Sequence, residues 1–248
     1  KLSKCEFVRQ QVHLLGHVVT FCGIATDPIK ITAIQRYPVP TMATELRRFL
    51  GMTSYYRRFV RGYATIAKPL YQLTSPHASF NWQPEHHAAF VHLQKALCEP
   101  PVLAYPQYDR PFIVSTDASD TALGAVLEQD DDHNRRHPIA YASRVLSTPE
   151  TRYSTTDKEA LAVIFALKKY RHYLLPRPFT LYTDHQSLRG LLNRKDLTGR
   201  WARWVMLLTE YPINIRYRPG TQNNVPDALS RLPDTQTPPP PTDRKSVV

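Results

Sequence analysis

The chain has 248 residues, 42% of them apolar, enough for one large domain or two modest ones and too apolar for wholesale disorder. Lys and Arg total 32 against 21 Asp and Glu, and the resulting formal charge of +11 points to a polyanionic partner. No apolar run approaches the roughly 18 residues that a bilayer crossing needs, so a membrane partner is not expected.

The opening KLSKCEFVRQ lacks both an apolar core segment and an initiator Met. It does not read as a signal peptide, and the missing Met points to a fragment of something longer. Cys5, Cys22 and Cys98 are odd in number and lack metal-ligand spacing, which suits reduced thiols of an intracellular protein. The first 26 residues read as mixed and partly β, notably residues 12–20 around Gly16. Residues 44–61 carry a helical period, with Phe49, Thr53, Tyr56 and Val60 on one side, flanked by Leu46 and Phe59. Arg47, Arg58 and Arg61 fall opposite, with Gly51 and Ser54 between. A second helix is predicted over 84–97, burying Phe90, Leu93 and Leu97. Four prolines in residues 99–111 then mark a seam between domains.

Beyond the seam the pattern changes. Residues 112–116, 123–128 and 139–142 are short β-rich runs in quick succession. A long helix is predicted over 156–174, a strand over 179–183, helices over 186–192 and 200–211, and a last strand over 213–217. A turn at Pro219 and Gly220 and a closing helix over 227–231 follow. Three strands in a meander, then helices alternating with strands, imply a mixed sheet with helices on both faces. From Leu232 onward, proline-rich LPDTQTPPPPTDRKSVV reads as a disordered or polyproline tail.

Four acidic residues stand out by position. Asp117 and Asp184 each follow an apolar strand, and if those strands are parallel neighbours both carboxylates emerge at one end of the sheet. Glu159 lies near the start of the long helix, and Asp227 opens the final one. Converging carboxylates repel one another unless cations neutralise them, and an all-oxygen set suits Mg²⁺ or Mn²⁺. Each also has a plainer account. Asp117 and Asp184 could cap turns, Thr156 and Glu159 have the spacing of a capping box, and Asp227 could be a helix N-cap.

The ordered stretches TDASDTALGAVLEQ, IAYASR, YSTTDKEALAVIFALKKYRHYL, LYTDHQSL and NVPDALSR resemble the ribonuclease H domain of Ty3/gypsy-type (metavirus) retrotransposon reverse transcriptases. Upstream, KCEF, LLGHVV, GIATDPIK and ELRRFLGMTSYYRRFV resemble the end of the palm, the primer-grip region and the thumb of such polymerases. The resemblance spans roughly residues 1–232. It implies an α/β fold, an RNase H-like mixed five-stranded sheet preceded by a mainly helical thumb-like domain. The implied division is 1–26 (end of palm and primer grip), 27–99 (thumb or connection), 100–111 (linker), 112–232 (RNase H-like) and 233–248 (tail).

The resemblance further implies a two-metal nuclease that cuts the RNA strand of RNA–DNA hybrids, using two Mg²⁺ ions with Mn²⁺ as a substitute. Its catalytic and metal-binding carboxylates would be Asp117, Glu159, Asp184 and Asp227. Tyr217 takes the place where many relatives carry a Tyr instead of a loop His, as a supporting site residue. Arg47, Gly51, Ser54, Arg58 and Arg61 would contact a nucleic-acid backbone. Implied partners are the hybrid, a template–primer duplex and the rest of the reverse transcriptase/integrase polyprotein. The implied setting is the cytoplasm, within virus-like particles, and the nucleus. The polymerase YxDD motif is absent, so no DNA synthesis is expected from this chain alone. A non-catalytic nucleic-acid-binding fragment, or a retroelement-derived protein retained by a host, stays open as an alternative.

Overall fold

A computed structural model of the chain describes residues 9–76, 78–186 and 199–219. The amino-terminal part opens with three short antiparallel strands in the order β1 (Gln11–Leu14), β2 (His17–Thr20) and β3 (Gly23–Thr26). Leu15 and Gly16, both at positive φ, close the first hairpin as a two-residue turn. Helix α1 (Pro28–Gln35) follows; Asp27 Oδ1 accepts from Ile29 N, and Pro28 occupies the first helical position. That signature, Asp before Pro, was available in the sequence and would have located a helix not expected there.

The next segment departs from expectation in one respect. Helix α2 (Ala43–Tyr55) ends at Tyr56 instead of running on to Arg61. A 3-10 turn over Arg57–Phe59 and an extended Val60 replace its last stretch. The expected apolar side is nonetheless buried, because Leu46, Phe49, Thr53, Tyr56, Phe59 and Val60 all face one core. The break redirects the polar side, with consequences for Arg58 and Arg61 described below. Helix α3 (Tyr63–Leu73) contains Pro69 and buries Tyr63, Ile66, Ala67, Leu70 and Leu73, a helical spacing legible in the sequence but not singled out there. Helix α4 (Pro84–Cys98) buries Phe90, Leu93 and Leu97 as expected. Phe49 and Phe90 meet at 4.5 Å between ring centroids, tying α2 to α4 in the first core.

The second unit is a five-stranded mixed sheet in the order β6-β5-β4-β7-β8. Its strands are β4 (Phe112–Ala118), β5 (Ala122–Asp130), β6 (Arg136–Val145), β7 (Phe179–Thr183) and β8 (Ile213–Tyr217). The first three form an antiparallel meander, whereas β4–β7 and β7–β8 are parallel. Between β6 and β7 come α5 (Thr148–Thr151), α6 (Thr155–Lys169) and α7 (Arg171–Leu174), and α8 (Gly199–Thr209) precedes β8. The expected helix over 156–174 is thus divided at Tyr170, whose buried hydroxyl donates to the Ala140 carbonyl at 3.0 Å and ties this corner to β6. Ala160, Val163 and Ile164 of α6 and Leu208 of α8 pack with Leu181 on one sheet face.

Residues on alternate positions of β6 point to the other face. There Tyr141 joins the first core, and the side-chain hydroxyl of Ser143 accepts from Ala64 N at 2.9 Å. The seam is tied on both sides. Leu103 is fully buried in the first core and exchanges backbone hydrogen bonds with Ile24 at 2.8 and 3.0 Å. Ala104 N then donates to Pro138 O at 2.8 Å. Gly23, at φ +146°, permits this approach, since a Cβ there would collide with the Leu103 carbonyl.

Candidate metal centre

Parallel pairing of β4 with β7 brings Ser115 opposite Tyr182, so both strands deliver their following acids to the same end of the sheet. Asp117 lies within β4, and Asp184 comes directly after β7. Glu159 reaches them from α6. One carboxylate oxygen from each of Asp117, Glu159 and Asp184 lies within 4.8 Å of the others. Asp117 and Glu159 are buried, and Asp184 is half-buried.

The plainer account of Glu159 fails on this geometry. The N-cap of α6 is Ser154, whose Oγ accepts from Asp157 N at 3.2 Å, so Glu159 caps nothing. Its Oε1 accepts from Ala118 N at 3.2 Å. Its Oε2 is buried with no hydrogen-bond partner among the described residues. Burial, reinforced by the charges of Asp117 and Asp184, pushes the Glu159 carboxyl up to about 9. A carboxyl so disfavoured as an anion, with an unfilled acceptor turned into a cluster of other carboxylates, fits a hard divalent cation. Oxygen-only donors suit Mg²⁺ or Mn²⁺ better than zinc.

Side-chain contacts frame the cluster. Lys158, adjacent to Glu159 and buried, holds Asp120 of the β4–β5 turn at 2.7 Å. Asp157 pairs with Arg200 of α8 at 3.2 Å. The His185 ring lies 3.1 Å from the Thr156 hydroxyl. All three contacts join elements distant in sequence, and no local spacing signals them.

The remaining expected site residues are distributed as follows. Tyr217 ends β8, 41% exposed, and pairs with Thr183, the residue before Asp184. Asp227 lies outside the described residues. Arg47 and Gly51 are exposed on α2 with Ser54 half-buried beside them. Arg47 donates to the Thr74 carbonyl at 3.0 Å. A Cβ on Gly51 would meet nothing within 4 Å, so packing within the chain does not require glycine there. Arg58 and Arg61 do not share that helical face, because α2 has ended before them. Arg58 donates to the Ile139 carbonyl of β6 at 3.3 Å, and half-buried Arg61 lies near Tyr141. Arg57, which the sequence did not single out, donates to the Ser143 carbonyl at 2.8 Å.

Comparison with known proteins accords with this geometry. Residues 107–211 match the family model described as the RNase H-like domain found in reverse transcriptase. The retrovirus-related Pol polyprotein from transposon 297 of Drosophila melanogaster is 44% identical over 94% of this chain, but that stretch is 22% of its own length. The transposon Tf2-3 polyprotein of Schizosaccharomyces pombe is 36% identical over 95% of this chain and 18% of its own length. The chain therefore spans about a fifth of the curated relatives it matches. Among solved structures, the foamy viral protease-reverse transcriptase in complex with RNA/DNA hybrid aligns over the whole chain and 33% of its own, at TM-score 0.75 and 28% identity. The α/β architecture is RNase H-like, and the chain belongs with the Pol polyproteins of Ty3/gypsy-type retrotransposons, of which it corresponds to one segment carrying the RNase H-like domain of reverse transcriptase.

Proposed function

We propose that this chain hydrolyses the RNA strand of RNA–DNA hybrids. The observation that carries the reading is the convergence of Asp117, Glu159 and Asp184 within 4.8 Å, two of them buried. Asp117, Glu159 and Asp184 would hold one divalent ion, and Asp227 would join Asp117 in holding a second. Bound there, Mg²⁺ or Mn²⁺ supplies Lewis-acid stabilisation of charge on the phosphodiester and lowers the pKa of a coordinated water. The residues themselves set the position of that chemistry. Asp117 is fixed in a six-pair antiparallel ladder with β5, and Glu159 is held by the Ala118 amide.

Substrate recognition rests on duplex shape and 2′-hydroxyls instead of base sequence. The exposed face of α2, with Arg47, Gly51 and Ser54, suits backbone phosphates approaching closely. A solved relative at 28% identity carries an RNA/DNA hybrid, which supports the substrate class. The test is cleavage of an end-labelled hybrid with Mg²⁺ or Mn²⁺, comparing wild type with Asp117→Asn. RNA-strand cutting that the substitution abolishes is the expected result. Tight hybrid binding with no cutting under either metal would instead assign the chain a binding role.

A further inference from the structure

Asp117 and Glu159 are joined twice over. Helix α6 lies chiefly across β4 and β5, and the Ala118 amide bonds directly to Glu159. The strand that carries Asp184 meets α6 through apolar packing, Leu181 against Ala160, Val163 and Ile164. Its backbone is anchored within the sheet, where Arg218 N donates to Thr183 O at 3.0 Å and His185 N donates to Thr183 Oγ1 at 3.2 Å. A side-chain hydrogen bond from the residue after Asp184 also crosses to the helix. His185 Nε2 lies 3.1 Å from Thr156 Oγ1, one turn before Glu159 on α6.

We infer that Thr156 and His185 are positioning residues, a tether that sets Asp184 opposite Glu159 and thereby the affinity of the cluster for a divalent ion. This rests on the functional reading above. Hydroxyl and neutral imidazole can each donate or accept, so the tether forms with either ring tautomer. A cation-binding carboxylate is useful only at the right distance from its fellows, and groups that orient such ligands typically govern affinity by about 10- to 100-fold. The Thr156 hydroxyl bonds the His185 ring, so it acts through His185 and the chain at Asp184.

The test measures Mn²⁺ binding to substrate-free protein by electron paramagnetic resonance, together with the Mg²⁺ dependence of hybrid cleavage. Thr156→Val removes the hydroxyl and keeps the shape, while Thr156→Ser restores it. Because Ser154 is the helix cap, neither variant disturbs capping. Thr156→Val should weaken Mn²⁺ binding about 10-fold or more and raise the Mg²⁺ needed for half-maximal cleavage, with the maximal rate recovered at saturating metal. Thr156→Ser should bind as wild type does. Unchanged Mn²⁺ affinity in Thr156→Val, or equal loss in both variants, overturns the tether while leaving the nuclease reading intact. A wild-type protein that binds no Mn²⁺ overturns both.

Discussion

Glu159 makes the stability of the metal-free protein depend on pH in an unusual direction. Its carboxyl is raised from 4.5 to about 9 in the folded chain, so the folded state holds this proton more tightly than the unfolded one. The associated stability is fully present below about pH 4.5 and is lost as pH rises through about 9. At about 1.4 kcal/mol per pH unit, the ceiling on that loss is about 6 kcal/mol. Against the 5–15 kcal/mol typical of a folded domain, a fraction of that ceiling is measurable. Urea unfolding in EDTA, from pH 5 to 9, would show it as a falling midpoint. Glu159→Gln cannot ionise and should flatten the profile relative to wild type, as should saturating Mg²⁺ with the native residue. Parallel profiles for wild type and Glu159→Gln would refute the reasoning, because the buried carboxyl would then be no more protonated than in the unfolded chain.

Two further outcomes follow from the packing. Gly23→Ala places a Cβ against the Leu103 carbonyl at a backbone angle that disfavours side chains, and should cost about 1–3 kcal/mol, read as a lower thermal midpoint. Arg47→Glu should weaken hybrid binding and reduce its salt-dependence slope by about 1, as for loss of one phosphate contact. Arg58→Ala should instead leave that slope unchanged and lower stability, because its guanidinium is engaged with Ile139; a slope change equal to that of Arg47→Glu would contradict this assignment.

Strands were the most legible part of this sequence. The limits of β7 and β8 coincide with the expected runs, since each is a short alternating run of β-favouring residues that starts directly after a proline, Pro178 or Pro212. The parallel adjacency that unites Asp117 with Asp184 was likewise readable as a condition, because each acid directly follows a β-rich run, although β4 continues through Asp117 to Ala118. Helix ends were harder. The apolar spacing from Leu46 to Val60 describes which residues are buried, and a helix followed by a 3-10 turn buries the same set as one long helix. What differs is the direction of the arginines, and that depends on β6 lying alongside. The spacing of Thr156 and Glu159 left a capping box open, and only the cap at Ser154 removes it. Contacts such as Lys158 with Asp120 have no local signature at all, because the partners come from different elements.

The parallel pairing of β4 with β7 also dictates when the carboxylate cluster can come into being. Hairpins β4–β5 and β5–β6 close through neighbouring residues and can form early, with little loop entropy to overcome. The β4–β7 ladder must wait for two further strands and three helices to be placed, as any long-range parallel contact does. On a ribosome, a nascent chain ending before Phe179 thus has Asp117 and Glu159 available but no strand to carry Asp184 beside them. The carboxylate cluster is therefore complete only once the β4–β7 ladder has closed.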